Sequence, residues 1–235
     1  MDCIEAFKSS KNDLALICLK TKERGNLHCG IIFKDKKENE KVCLFHFAYH
    51  FILSIDDNFI GFSNGIYKIP FEFELTNTFY KEKYNAFFPL MKKVHKQNEK
   101  TLNYCTIHNE GNKFFLNGKP HFSGDSFGYT CATFIDSFLN SIGINLIDYG
   151  TWTLTDKDYD WRKDVFKQLI GYAEKNEAHK NSICNNIRLE MKKPVTPRIK
   201  PQEIVSACDW DDDGSAVFDF CNKNGSIIEE YLNKT

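Results

Sequence analysis

A cysteine that opens a helix and histidines carried on strands can together perform nucleophilic and acid–base chemistry, and this chain holds both. Cys131 lies in Gly128-Tyr129-Thr130-Cys131-Ala132-Thr133-Phe134. Thr130 is a suitable N-cap, so Cys131 falls at the first helical position. There the unpaired backbone N–H groups and the positive end of the helix dipole favour a thiolate, lowering a thiol pKa that is otherwise about 8.5. Such a sulfur attacks a carbonyl carbon once an imidazole takes its proton, and a third polar group holds that imidazole in the right tautomer. His28 is the candidate base and His46 the candidate orienting residue. The backbone N–H of Cys131 is the candidate oxyanion donor, with Tyr129 or a nearby main-chain group as the second. Free cysteine is also among the most buried residue types, so Cys131 as a small packing hydrophobe and His28 as a satisfied core histidine are the competing readings.

The elements that must position these groups are legible as hydrophobic runs. After Cys131, apolar residues at 134, 135, 138, 139 and 142 follow helical spacing, Asp136, Ser137, Asn140 and Ser141 fill the opposite face, and Gly143 stands where a left-handed terminator belongs. Leu14 to Lys20, Leu27 to Phe33 and Val42 to Leu53 are apolar runs divided by charged turns, which predicts a meander of antiparallel strands with His28 and His46 on neighbouring strands. Consecutive strand residues point to opposite faces, so His28 and Cys29 are not read as a pair, and Cys18, Cys29 and Cys43 are read as packing residues. His46 and His50 would bind zinc only on a helix, since in a strand they stand about 13 Å apart at roughly 3.3 Å per residue, and no metal is expected.

Beyond residue 56 the pattern predicts an edge strand at 66–75 containing Pro70, a short helix at 85–96 with a basic face, and two short strands about a turn at Asn109 to Asn112. A helix follows from about Asp160 to Glu174, and an extended connector is marked by Pro194, Pro197 and Pro201 before a helix opening near Gln202. Asp209-Trp210-Asp211-Asp212-Asp213-Gly214 copies the start of a calcium loop, but Phe220 stands where a bidentate glutamate is required, so it reads as an acidic turn.

Composition narrows the setting. With 31 Lys and Arg against 32 Asp and Glu, the net charge of −1 supplies no global attraction to nucleic acid or an anionic membrane. Nine cysteines without a C-x-x-C pair fit neither a disulfide framework nor a zinc ribbon and are expected to be reduced thiols. No run approaches the roughly 18 apolar residues of a membrane span, and the first residues carry no signal-peptide pattern, so a cytoplasmic protein is expected, with delivery elsewhere requiring a signal-independent route. The sequence leaves oligomeric state open.

Asn12-Asp13-Leu14, Leu27-His28-Cys29-Gly30-Ile31-Ile32, Leu44-Phe45-His46-Phe47-Ala48 and Tyr129-Thr130-Cys131, in that order, resemble the circularly permuted branch of the NlpC-type papain-like cysteine hydrolases, the broad group that includes lecithin-retinol acyltransferase-like proteins. Asn12 replaces a glycine of the family's first motif, and Thr130-Cys131-Ala132 differs from the nucleophile motif of the acyltransferase branch. The resemblance implies an α+β fold: a papain-like core over 1–155 with an antiparallel sheet packed on the nucleophile helix, an insert at about 56–121, and a mostly helical C-terminal extension over 156–235. It implies a hydrolase that cleaves a peptide or isopeptide bond through an acyl-enzyme, with Cys131, His28 and His46 as its site and no cofactor. Ester or thioester hydrolysis and acyl transfer share that intermediate, and a non-catalytic module holding a peptide or protein on the same fold is the rival from another class. Expected substrates are peptides, protein conjugates or acyl compounds.

Overall fold

The computed structural model describes residues 2–36, 38–48, 50–70, 78–210 and 214–234. Five strands form one antiparallel sheet: β1 (Leu14–Thr21), β2 (Leu27–Asp35), β3 (Lys41–Phe47), β4 (Leu53–Asp56) and β5 (Phe62–Lys68), in the order β4-β3-β2-β1-β5. Its central strands are apolar at nearly every position because both faces are covered. Leu14, Leu16 and Cys18 of β1 face one core, while Ala15, Ile17 and Leu19 face a second core capped by Phe7 of the N-terminal helix α1 (Asp2–Ser9). With seven helices among the described residues, the class is α+β.

The helix α3 (Cys131–Asn140) lies on the first face of the sheet. Its start is fixed by a reciprocal cap in which the Thr133 N–H donates to Thr130 Oγ1 at 3.2 Å and the Thr130 N–H donates to Thr133 Oγ1 at 2.8 Å. Phe134 and Phe138 both meet the ring of Phe45 on β3 edge-on, at 5.2 Å between centroids. The approach to the helix needs glycine at 128, where a Cβ would lie 2.3 Å from the Asn103 carbonyl oxygen. Hydrogen bonds from Tyr129 N–H to Asn103 O and from Cys105 N–H to Tyr129 O then stitch residue 129 to the 103–105 segment. Gly143, at φ 74°, turns the chain beyond the helix.

Several elements differ from the sequence expectation. The run from Val42 to Leu53 is two strands, because Phe51 adopts φ 63° and the Ala48 N–H donates to Ile52 O, turning β3 back into β4. Part of the strand expected at 66–75 lies outside the described residues; the strand seen ends at Lys68 and pairs with β1 at the sheet edge. The sheet itself thus uses residues through 68, beyond the expected insert start at 56. Helix α2 (Thr78–Asn98) extends past both ends of the expected 85–96 segment and contains Pro89. The short hairpin pairs β6 (Lys113–Phe114) with β7 (Pro120–His121), and Gly118 at φ 87° supplies its turn in place of Asn109 to Asn112.

Of the segment beyond 155, the described residues of 201–234 share the core of the sheet, while 156–190 pack largely on one another. Helices α4 (Asp156–Lys175) and α5 (Glu177–Glu190) pair through their own cluster of Val165, Leu169, Ala173, Ile183 and Ile187. In contrast, α6 (Pro201–Ser206) and α7 (Phe218–Lys234) bury Ile204, Val205, Ile228 and Leu232 in the same core as Phe45 and Phe134. The apolar face of β1 and β2 is wider than α3 alone can cover, and these two helices complete it. Lys20 at the end of β1 donates to the Leu232 carbonyl at 3.1 Å. No helix among the described residues is long and apolar enough to cross a membrane.

Candidate active site

Cys131 is 8% exposed at the first position of α3, and three groups bear on its sulfur: the Cys29 thiol, the Cys29 backbone N–H and the His28 ring. This convergence follows from an opening in the sheet. Cys29 pairs with Cys18 and points to the α3 face, whereas His28 pairs with Leu19 and points to the opposite face. The ladder between β2 and β3 runs only from Asp35–Lys41 to Ile31–Phe45, so β2 has no β3 partner beside residues 28 and 29. The sulfur at the helix start meets both residues there.

His28 and His46 come together on one face with the rings nearly perpendicular, 84° apart, and centroids 4.9 Å apart. Gly30 makes the approach possible, since a Cβ at this position would stand 2.7 Å from Leu44 Cδ1, 3.0 Å from the Phe45 carbonyl oxygen and 3.1 Å from His46 Cβ. His28 Nε2 lies 2.8 Å from His46 Nδ1, and His46 Nε2 lies 2.8 Å from Asp56 Oδ2. Phe62 stacks on the His28 ring at 5.8 Å and shields it.

This chain of contacts dictates the tautomers. Asp56 accepts the proton-bearing Nε2 of His46. Burial pushes the His46 pKa below the usual imidazole range, against the opposing pull of Asp56, so the ring is neutral near pH 7 and its Nδ1 is an acceptor. His28 therefore donates from Nε2, so that its other ring nitrogen, Nδ1, is the one free to exchange a proton. The Cys29 hydrogen bond, followed by the His28 imidazole, holds the Cys131 thiol well below its ordinary pKa, overcoming the burial that pushes it up. Burial, reinforced by the Cys131 neighbour, drives the Cys29 thiol the other way, so Cys29 keeps its proton and donates it to the sulfur.

The structure thus brings Cys131, His28 and His46 together, but Tyr129 is elsewhere. Its ring is fully buried against Phe114, Phe122 and Phe134, its backbone N–H is committed to Asn103, and its hydroxyl finds no partner among the described residues. The tyrosine at the cleft is Tyr104. With Leu27 and Cys131 it lines both of two adjoining cavities, one of about 500 Å³ reaching Trp161 and Arg198, the other of about 340 Å³ reaching His46 and Phe62. In α3 the backbone N–H groups of Cys131 and Ala132 have no partner among the described residues, whereas the Thr133 and Phe134 N–H groups are taken by Thr130.

Cys29 therefore does more than pack, contrary to the expectation that it faces away from the chemistry. Asp56 was also invisible as an orienting group, because it is reached through the β3–β4 turn that the sequence does not announce. The local signal that could have found it is spacing: His46 pairs with Ser54, two residues from Asp56 on the same strand face. His50 lies in the turn after β3, accepts the Tyr104 N–H at 3.1 Å and contacts Ser182, so the H-x-x-x-H spacing is not on a helix. No cluster of three metal-ligating side chains occurs among the described residues. Comparisons with protein-family models, curated proteins and solved structures find no match.

Proposed function

We propose that this protein is a cysteine hydrolase that cleaves an amide bond, peptide or isopeptide, through an acyl-enzyme, on a permuted papain-like core. The observation that carries the reading is the convergence of Cys131 and His28 on one cavity, with His28 hydrogen-bonded to His46 and His46 to Asp56. His28 Nδ1 takes the thiol proton, and the sulfur attacks the substrate carbonyl carbon. The oxyanion that forms is held at the start of α3 by the Cys131 N–H, with Ala132 N–H adjacent, an arrangement whose single donors are worth about 3 kcal/mol. Protonated His28 gives its proton to the leaving amine as the C–N bond breaks, producing a thioester. A water then loses a proton to His28 and attacks the thioester, releasing the carboxylic acid and the free thiol. His46 and Asp56 stabilise the imidazolium that appears twice in this cycle.

The larger cavity favours a peptide over a lipid chain, because Asn26, Gln168, Arg198 and Gln202 line it. The test uses the full chain with an electrophilic probe and a fluorogenic peptide library. Rapid labelling of Cys131 alone, with peptide turnover lost in Cys131→Ala, is the expected result. Slow labelling spread evenly over the nine cysteines would instead mark a binding module, and turnover confined to ester or thioester substrates would move the activity to acyl chemistry.

A further inference from the structure

The cavity of about 500 Å³ beside Cys131 contains one charged group that stands apart from the rest. Its other charged lining residues are already engaged: Lys200 Nζ donates to Glu203 at 2.7 Å, Glu229 accepts from Gln202 at 2.8 Å and Asp164 accepts from Lys167 at 3.1 Å. Arg198 differs. Its backbone N–H is tied to Asp158 at 3.0 Å, which anchors the chain, but among the described residues no carboxylate lies within 4.0 Å of its guanidinium and no side-chain hydrogen bond occupies it. The guanidinium lies over the Trp161 ring at 4.7 Å. Burial pulls its pKa down, and this outweighs the opposing pull of Tyr104, Glu203, Cys131 and Asp158, none of which forms an ion pair with its guanidinium.

A guanidinium held over an aromatic ring keeps N–H donors for other partners, and those donors match a carboxylate with two parallel hydrogen bonds. A desolvated, pre-positioned fork of this kind gains a partner when an anion arrives, whereas a solvated lysine would exchange one shell for another. Trp161 on α4 and the 192–200 connector fix the fork from two independent elements.

We propose that Arg198 is a specificity residue, binding a carboxylate of the substrate in the cavity next to Cys131. This rests on Cys131 being the reactive thiol, and it narrows the substrate class to peptides with an acidic side chain or a free C-terminal carboxylate near the scissile bond.

Alkylation tests it without requiring turnover. Iodoacetate and iodoacetamide both react by the sulfur displacing iodide to form an S–C bond, and they differ in carrying a carboxylate or a neutral amide. In the wild type, Cys131 should prefer iodoacetate, and Arg198→Gln should lower the iodoacetate-to-iodoacetamide rate ratio at Cys131 about tenfold, the scale of one lost charge-assisted hydrogen bond. Arg198→Lys, which keeps the charge and loses the fork, should fall between. A ratio unchanged in Arg198→Gln overturns the proposal. A second measurement needs no substitution: millimolar N-acetylglutamine, with its α-carboxylate, or N-acetylglutamic acid α-amide, with its side-chain carboxylate, should slow alkylation of wild-type Cys131 by iodoacetamide. Whichever protects identifies the source of the carboxylate, and protection by neither overturns the subsite. Rapid but carboxylate-blind alkylation sinks the subsite alone, whereas a Cys131 that reacts with neither reagent sinks the hydrolase and the subsite together.

Discussion

Cys131 receives two kinds of help, and substitutions should separate them. His28 can remove the proton and return it, so His28→Ala should lower acylation by about 10² to 10⁴, the usual loss of a general base, with Cys131→Ala inactive and folded. Retained single-turnover acylation in His28→Ala would end its assignment as base. Cys29 only donates a hydrogen bond. Cys29→Ala should therefore leave the catalytic series intact but raise the pKa of Cys131, moving the midpoint of its pH-dependent alkylation towards alkaline values. An unmoved midpoint would leave the dipole and His28 as the whole cause. Of these residues, Cys131, His28 and His46 could be named as candidates from residue type and order, and the fold brings them to one place. Cys29, Asp56, Tyr104 and Arg198 could not, since each acquires its place only from where β2 and β3 part, from the β3–β4 turn, or from packing against α4.

Helix α3 and strand β2 were readable for opposite reasons: one has a periodic apolar face between a capping threonine and a terminating glycine, the other is apolar throughout because both its faces are covered. Helix α1 is only eight residues long, and the β3–β4 turn rests on Phe51 in a left-handed conformation, so neither leaves a compositional mark. Gly30 is where strand geometry and chemistry meet. An alanine methyl there would press on the Phe45 carbonyl and on His46 Cβ, and only the Leu44 methyl among its close neighbours ends a flexible side chain. Gly30→Ala should cost about 1 to 3 kcal/mol of stability by overpacking and should lower kcat by more than that loss explains, because His46 is pushed off His28. Chemical denaturation measured with kcat on the folded fraction checks this; normal kcat in the folded fraction would show that the two rings tolerate the displacement.

For the molecule as a whole, the buried neutral histidines set the acid limit. Burial lowers His108 to a pKa of about 3 and His50 to about 4. Between those values and the ordinary 6.5, the unfolded chain binds protons that the native protein does not, so the stability these two histidines contribute is full above pH 6.5 and is lost as the pH falls, while the buried Asp136 carboxyl, raised to about 7, works in the opposite sense. From pH 7 to pH 5, His108 alone should remove roughly 2 kcal/mol, and His108→Phe, which keeps the ring beside Tyr149, should lessen that decline. Equal urea-midpoint shifts in the two proteins would show that other groups carry the acid sensitivity. At this scale the sequence misleads most, because a helical stretch after a proline-marked connector reads as an appendage. Yet Ile204, Val205, Ile228 and Leu232 are as buried as the residues of α3. A chain ending at residue 155 should accordingly show no cooperative unfolding transition.

The distance along the chain between the two walls of the cleft also has a consequence in time. His28 and Arg198 are 170 positions apart, and at about 5 to 20 residues per second a ribosome takes roughly 10 to 30 seconds to travel from one to the other. Throughout that interval the base strand exists without its nucleophile helix or without the connector that walls the larger cavity. On the proposed reading, a growing chain thus has no complete substrate cleft until residue 198 has been made.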